Sequence, residues 1–143
     1  MDVHALIDNF RRIVTAQYFD FNGRTARSVF WYYVLVCVLL FIAVWIVESI
    51  LGFGAVAQYG HYYYYQPRPL TGLLSLALLL PNLGIGVRRL HDTNHSGFWL
   101  LIGLIPVIGW LVLLYWYVQP GTVCANRYGD DTTGSCPISP PAG

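Results

Sequence analysis

The chain has 143 residues, of which 56% are hydrophobic and only 10% are charged, whereas a typical soluble domain is about 25% charged. The formal net charge is +1 and all eight basic residues are arginine, which argues against the strongly basic face of a nucleic-acid-binding protein. A single lipid-embedded domain fits this composition, because a soluble chain of this length would expose much of its apolar surface to water.

Residues 1–19 are predicted to form an amphipathic helix. Apolar residues recur there at helical three-and-four spacing, with charged residues between them; they are Val3, Leu6, Ile7, Phe10, Ile13 and Val14. The segment lacks an apolar central region and carries Asp2 and Asp8 near its start, so it is not a secretory signal peptide. The pattern fits a helix lying in the headgroup layer, and equally a helix packed on its own protein.

The first membrane span is predicted at about residues 29–51. Its start carries the aromatic band Phe30-Trp31-Tyr32-Tyr33, which is typical of a bilayer boundary. Cys37 is expected in the core. Glu48 lies near the far end of the span, where we expect its carboxylate to reach interfacial water; the alternative is a buried carboxylate on a transport path.

Residues 52–69 are predicted to be a loop, because the Pro67-Arg68-Pro69 sequence cannot continue a helix. The second span is predicted at 70–87, with a kink at Pro81. Such a kink is tolerated where neighbouring groups recover the freed carbonyl. Asn82 is expected to bond to a polar side chain of a facing helix.

The third span is predicted at 98–118 as a single kinked helix with aromatic residues at both ends. Gly103, Pro106 and Gly109 interrupt it, which leaves open an alternative in which the segment enters the membrane and returns, with each half too short to cross. The segment 119–143 is rich in glycine, proline and small polar residues, so we expect a flexible tail.

The positions of the cysteines and arginines bear on the orientation of the chain. Cys124 and Cys136, both in the tail, would form a disulfide if the tail faces an oxidising compartment. Six arginines lie before the first span and between the second and third, and two lie elsewhere; in chain order they are Arg11, Arg12, Arg24, Arg27, Arg88 and Arg89, against Arg68 and Arg127. Since positive residues near span ends stay in the cytoplasm, three spans predict a cytoplasmic amino terminus and a periplasmic tail.

A polar cluster is predicted at the inner membrane boundary. Its members are the ionisable residues that flank the first two spans: Arg24, Arg27, Arg88, Arg89, His91 and Asp92. Arg88 and Asp92 have the i, i+4 spacing of a helical ion pair, and Asp92 is also within reach of Arg24 or Arg27. The cluster either fixes how the helices dock or binds anionic lipid headgroups or an acidic partner.

Several short motifs are shared with one membrane family. They are Phe21-Asn22-Gly23-Arg24 through Arg27 to Phe30-Trp31, Arg88-Arg89-Leu90-His91-Asp92, Ser96-Gly97-Phe98-Trp99, Ile105-Pro106 with Gly109, Pro120-Gly121, and Asn126-Arg127-Tyr128-Gly129. Over residues 19–130 the chain resembles the domain of unknown function 805 family, the YhaH-like bacterial inner-membrane proteins. The resemblance implies a small multi-pass protein of the bacterial inner (plasma) membrane, without a settled biochemical role.

The sequence favours a non-enzymatic membrane module. The expected partners are the lipid bilayer, anionic lipid headgroups, and a second copy of the chain or other membrane proteins, with no nucleic acid. The alternative is an oligomeric transporter or channel component that uses Glu48, Asn82 and the proline kinks. A membrane enzyme or metal site at His91, Asp92 and His95 lacks complementary ligands, so we expect no catalytic residue, cofactor or metal.

Overall fold

The computed structural model describes residues 3–132, 134 and 136, and this part of the chain is mostly helical. Met1 and Asp2 of the predicted amphipathic helix lie outside the described residues, as do residues 133, 135 and 137–143 of the predicted tail. In chain order the elements are α1 (Val3–Val14), α2 (Arg27–Ile50), β1 (Val56–Tyr59), β2 (Tyr62–Tyr65), α3 (Pro69–Asp92), a 3₁₀ helix (Gly97–Leu104) and α4 (Ile108–Val118).

Two helices are long and apolar enough to cross a membrane. α2 and α3 each have 24 residues, which corresponds to about 36 Å of helix against a hydrocarbon thickness of about 30 Å. Many of their large apolar side chains are exposed, among them Leu39, Trp45 and Leu76. Lipid-facing helices expose such residues, whereas the core helix of a soluble protein buries them.

α2 and α3 pack on each other through a small core and one polar contact. Tyr33, Cys37, Leu78 and Ile85 belong to the buried cluster between the helices, so the predicted core position of Cys37 is confirmed. The Tyr33 hydroxyl donates to Asn82 Oδ1 at 2.8 Å. The predicted polar partner for Asn82 on a facing helix is therefore confirmed.

Pro81 lies inside α3 without ending the helix. Because proline has no N–H, the carbonyl of Ala77, four residues earlier, loses its helical donor. The Tyr18 hydroxyl donates to that carbonyl at 2.9 Å. The segment after α1 therefore supplies the donor that the freed carbonyl requires, as the sequence predicts.

Glu48 does not reach interfacial water, and this corrects the expectation from its position near the end of the span. Its side chain is fully buried. One carboxylate oxygen accepts from the backbone N–H groups of Leu70 and Thr71 at 2.6 and 3.1 Å, and the other accepts from the Thr71 hydroxyl. The first turn of a helix has free N–H groups, so Glu48 caps α3 from the end of α2.

The predicted loop at 52–69 contains a β-hairpin. β1 and β2 pair antiparallel, from Val56 opposite Tyr65 to Tyr59 opposite Tyr62. Tyrosine favours extended backbone, and the φ of 63° at Gly60 fits the first central residue of a type II′ turn. The sequence prediction missed the hairpin because it used the tyrosines only as markers of the interface.

Residues 97–118 do not form the predicted single span. The 3₁₀ helix and α4 have 8 and 11 residues. Each of these two limbs is therefore about 16 Å long, which is about half of the hydrocarbon thickness of a bilayer. The chain reverses between them at Pro106 and Val107, and Trp110 Nε1 donates to the Gly103 carbonyl at 2.9 Å. A Cβ atom at Gly109 would overlap the Ile102 backbone, so glycine permits this close approach.

Both limbs of this returning segment meet the same end of the molecule. Gly97 lies against Val87 of α3, and the Val118 carbonyl at the end of α4 accepts from Arg27 Nη1 at 3.3 Å. Arg27 is the first residue of α2. The tail therefore begins beside the start of α2, whereas three full spans would have put these two segments at opposite ends of the molecule.

α1 packs on the rest of the protein. Ile13 is 1% exposed, and the Phe10 ring stacks on Tyr33 with the ring centroids 5.6 Å apart. Of the two interpretations of the apolar face, the one in which the helix packs on its own protein agrees with these contacts.

We predict that Tyr18→Phe lowers the free energy of unfolding by about 1–3 kcal/mol, the usual cost of leaving an acceptor without a partner in apolar surroundings. In a Pro81→Ala background residue 81 regains its N–H, so the same substitution should cost less than about 0.5 kcal/mol. Unfolding in detergent micelles with increasing dodecyl sulfate, followed by circular dichroism, measures both losses. Equal losses in the two backgrounds would contradict the pairing of Tyr18 with the carbonyl that Pro81 frees.

Candidate functional site

Asp92 is the last residue of α3 and its side chain is fully buried. Its Oδ1 accepts from Arg24 Nε at 3.1 Å and from the Thr132 hydroxyl at 2.6 Å. Its Oδ2 forms an ion pair with Arg89 Nη1. One carboxylate thus compensates two buried guanidinium groups that come from different parts of the chain, and we call Arg24, Arg89 and Asp92 the Asp92 cluster.

The remaining donors of Arg24 bond to backbone carbonyls of the tail. Arg24 Nη2 donates to Thr122 O at 2.6 Å and Nη1 donates to Cys124 O at 2.8 Å. Nη1 also lies 3.4 Å from Gly129 O. The tail is therefore attached to the residues that precede α2.

Arg89 makes the corresponding bonds to the end of α4. Its Nε and Nη2 donate to Tyr117 O at 3.3 Å, and Nη2 also donates to Gln119 O. Carbonyls at the end of a helix have no hydrogen-bond donor within the helix. The buried guanidinium of Arg89 supplies that donor, and the carbonyls supply the acceptors that the guanidinium needs. Together with Asp92, these acceptors leave Arg89 well bonded despite its complete burial.

The tail also caps the end of α3. The Asp92 carbonyl accepts from Thr122 N at 2.8 Å, and the His91 carbonyl accepts from Asn126 Nδ2 at 2.9 Å. A Cβ atom at Gly121 would overlap the Asp92 carboxylate, so glycine is the residue that fits there. Residues 119–132 are thus anchored rather than flexible, which corrects the prediction for this part of the tail.

His91 lies beyond the apolar run of α3, next to the tail motif Asn126-Arg127-Tyr128-Gly129. Its ring stacks on Tyr128 with centroids 3.9 Å apart and an interplanar angle of 2°, and Nδ1 lies 3.1 Å from the Gly23 carbonyl. His91 therefore connects the end of α3 to the tail motif and to the residues that precede α2.

The two other predicted arginines do not join Asp92. Arg88 forms no ion pair with Asp92, because Arg89 provides the helical partner three residues before it. The Arg88 carbonyl accepts from Thr25 N at 3.1 Å. Arg27 is exposed and donates to Val118 O. The i, i+4 pair predicted between Arg88 and Asp92 is therefore wrong. Of the two arginines predicted to reach Asp92 from before the first span, Arg24 forms the ion pair.

Other groups of this end were missed or left open by sequence reasoning. Thr122 and Thr132 hydrogen-bond to Asp92, and nothing in their types or spacing predicts it. Cys124 and Cys136 form a disulfide, with Cα atoms 4.6 Å apart. Across the described residues, no three His, Cys, Asp or Glu side chains are grouped as they would be to hold a metal ion.

The chain is similar to known membrane proteins over most of its length. The family model "Protein of unknown function (DUF805)" matches residues 18–130. Inner membrane protein YhaI of Escherichia coli (strain K12) is 36% identical over 118 residues, which are 82% of this chain and 90% of YhaI. Inner membrane protein YhaH of the same strain is 33% identical, over 82% of this chain and 91% of YhaH.

No solved structure matches the chain. The family match includes both candidate spans, the Asp92 cluster and the tail motif. The relatives are covered over almost their whole length, so the similarity is not confined to one apolar helix. This protein belongs to the DUF805 family, and its relatives are bacterial inner membrane proteins.

Proposed function

We propose that this protein is a non-enzymatic module of the inner membrane whose Asp92 cluster docks the membrane helices and whose surrounding arginines bind anionic lipid headgroups. The observation that carries the proposal is the fully buried Asp92 carboxylate, shared by Arg24 before α2 and Arg89 at the end of α3. Exposed arginines surround this end of the molecule.

Docking follows from the energetics of the buried charges. Two guanidiniums and one carboxylate have left water, which is costly unless every member is paired and hydrogen-bonded. Here the carbonyls of α4 and the tail complete the set. The favourable arrangement therefore exists only when α2, α3, α4 and the tail meet at one point, which selects a single packing of the helices.

Lipid binding follows from the arginines outside the cluster. Arg11, Arg12 and Arg27 are exposed and lie on α1 or at the start of α2. An arginine close to an anionic membrane surface contributes about 1 kcal/mol of attraction. α1, packed on α2 through Phe10 and Ile13, would lie at the level of the headgroups.

The arginines also indicate an orientation. Seven of the eight arginines belong to the end of the molecule that holds the Asp92 cluster, and the eighth, Arg68, precedes α3 at the hairpin end. The rule that positive residues stay inside then assigns the cluster end, with α1 and residues 119–132, to the cytoplasm, and the hairpin to the periplasm. Two full spans and one returning segment cross or enter the membrane in this arrangement. Cytoplasmic thiols are kept reduced, so this orientation implies that the Cys124–Cys136 disulfide of the structure is reduced in the cell.

The docking role predicts a large loss of stability for Asp92→Asn, which keeps the shape of the side chain and removes the charge. Leaving two buried guanidiniums without their counter-ion should cost about 3–5 kcal/mol. Asp8→Asn, at an exposed position of α1, is the matched control and should change stability by less than about 0.5 kcal/mol. The free energy of unfolding in detergent micelles measures both; if Asp92→Asn were as stable as the control, the docking role would be wrong.

The lipid role predicts that Arg11→Gln combined with Arg27→Gln reduces the preference for anionic lipid. The relative association of spin-labelled phosphatidylglycerol and phosphatidylcholine with the reconstituted protein measures this preference in vesicles of the two lipids. It should fall several-fold, because each arginine contributes about 1 kcal/mol, and it should also fall with added salt. The double lysine variant at the same positions keeps the charge and should keep the preference. An unchanged preference in the glutamine variant would refute the lipid role.

The orientation predicts the behaviour of reporter fusions. Green fluorescent protein fused after Gly143 should fluoresce, and alkaline phosphatase fused there should be inactive, because both report a cytoplasmic position. Phosphatase fused after Gly60, in the turn of the β-hairpin, should be active. Active phosphatase at Gly143 would instead support three full spans with a periplasmic tail.

A further inference from the structure

Arg88 differs from the arginines of the Asp92 cluster in having donors without acceptors. Its residue exposure is 3%, and its Nε and Nη2 atoms are buried without a hydrogen-bond partner among the described residues. Arg24 and Arg89, beside it, each bond to Asp92 and to backbone carbonyls. A buried, unpaired guanidinium is costly, so its position calls for an acceptor that the described chain does not supply.

Arg88 lines a cavity of about 200 Å³, which we call the Arg88 cavity. Two further arginines, Arg12 of α1 and Arg24, lie in its wall, with Ala26 and Thr132. A water molecule occupies about 30 Å³ of liquid, so the cavity has room for one small polyatomic anion. The exposed position of Arg12 puts one wall of the cavity at the protein surface.

The charges around the cavity favour an anion. The carboxylate of Asp92 is already shared by Arg24, Arg89 and the Thr132 hydroxyl. Asp20, the acid nearest to Arg24 along the chain, forms no ion pair with Arg88, and its Oδ1 accepts from Asn22 N. Arg12 and Arg88 therefore present positive charge to the cavity that these carboxylates do not neutralise.

The start of α2 adds a second feature that favours an anion. Ala26 is the N-cap residue, and the helix has no side-chain cap. The free N–H groups and the dipole at a helix N-terminus attract negative charge. Ala26 and Val29 both lie in the wall of the Arg88 cavity, so the uncapped helix begins beside the unpartnered guanidinium.

We propose that the Arg88 cavity binds a phosphate group, with Arg88 Nε and Nη2 as its principal donors and Arg12 closing the site. Guanidinium groups bind phosphate oxygens through paired, charge-assisted hydrogen bonds. The group is either the phosphate of an anionic lipid headgroup or a free phosphate ion. In the first case the site deepens the proposed lipid role and rests on it, by selecting one headgroup at a fixed position.

The test is calorimetric titration of the full-length protein in a non-ionic detergent with inorganic phosphate, and separately with dihexanoyl phosphatidylglycerol. Wild-type protein should bind inorganic phosphate, the lipid or both, with a stoichiometry of one per protein. Arg88→Met, which keeps the length of the side chain and removes its donors, should lose at least 100-fold in affinity. Arg12→Gln should lose about 10-fold in affinity. Arg68→Gln, at the hairpin end and outside the wall of the cavity, should bind like wild type.

Each outcome decides the proposal. Tighter binding of the lipid identifies a headgroup site, and equal or tighter binding of inorganic phosphate identifies a free-ion site. Absence of saturable binding by wild type, or equal binding by Arg88→Met and Arg68→Gln, overturns the proposal. Arg12→Gln changes an exposed residue, so it tests the site even if Arg88→Met does not fold. If wild type has one saturable site but no preference for phosphatidylglycerol in vesicles, the proposed lipid role is wrong and this site stands. If wild type prefers phosphatidylglycerol in vesicles but has no saturable site, this site is wrong and the lipid role stands.

Discussion

The Asp92 carboxylate lies buried at the end of α3, where Arg24 and Arg89 both reach it. Neither guanidinium is fully satisfied by Asp92, and both take their remaining acceptors from the backbone of α4 and the tail. Residues 97–118 return to the end of the molecule from which they started, and this return brings the Tyr117 carbonyl within hydrogen-bonding distance of Arg89.

Each end of the α2–α3 pair contains a buried carboxylate, and different groups compensate its charge at the two ends. At the hairpin end, Glu48 is buried and accepts from the free amides at the start of α3, with Arg68 4.0 Å away. At the cluster end, Asp92 is balanced by full positive charges. Between them, Pro81 frees a carbonyl that Tyr18 satisfies. Buried polar groups thus fix the helices at both ends and in the middle, while the apolar faces lie outward.

The length and apolarity of two runs are enough to predict α2 and α3. Because few ionisable residues occur within these runs, Arg24, Arg89 and Asp92, which flank them, are candidates for one cluster. The return of residues 97–118 was not predictable in the same way, because aromatic residues at both ends fit a crossing helix and a returning one equally. Nor does the sequence distinguish Arg88 from Arg89. One residue turns the side chain by about 100° around the helix, and packing decides which one meets Asp92. The acceptors in the tail are backbone carbonyls, which every residue carries.

A distance between the start of α2 and the tail tests this account most directly. Spin labels at Ser28 and Val123, both exposed, can be introduced in a variant with Cys37, Cys124 and Cys136 replaced, so that the disulfide contributes nothing. Pulsed electron paramagnetic resonance in reconstituted bilayers should give a distance below about 25 Å, because both labels lie at the cluster end. A distance beyond about 30 Å, the thickness of the hydrocarbon layer, would place the tail across the membrane and contradict the account.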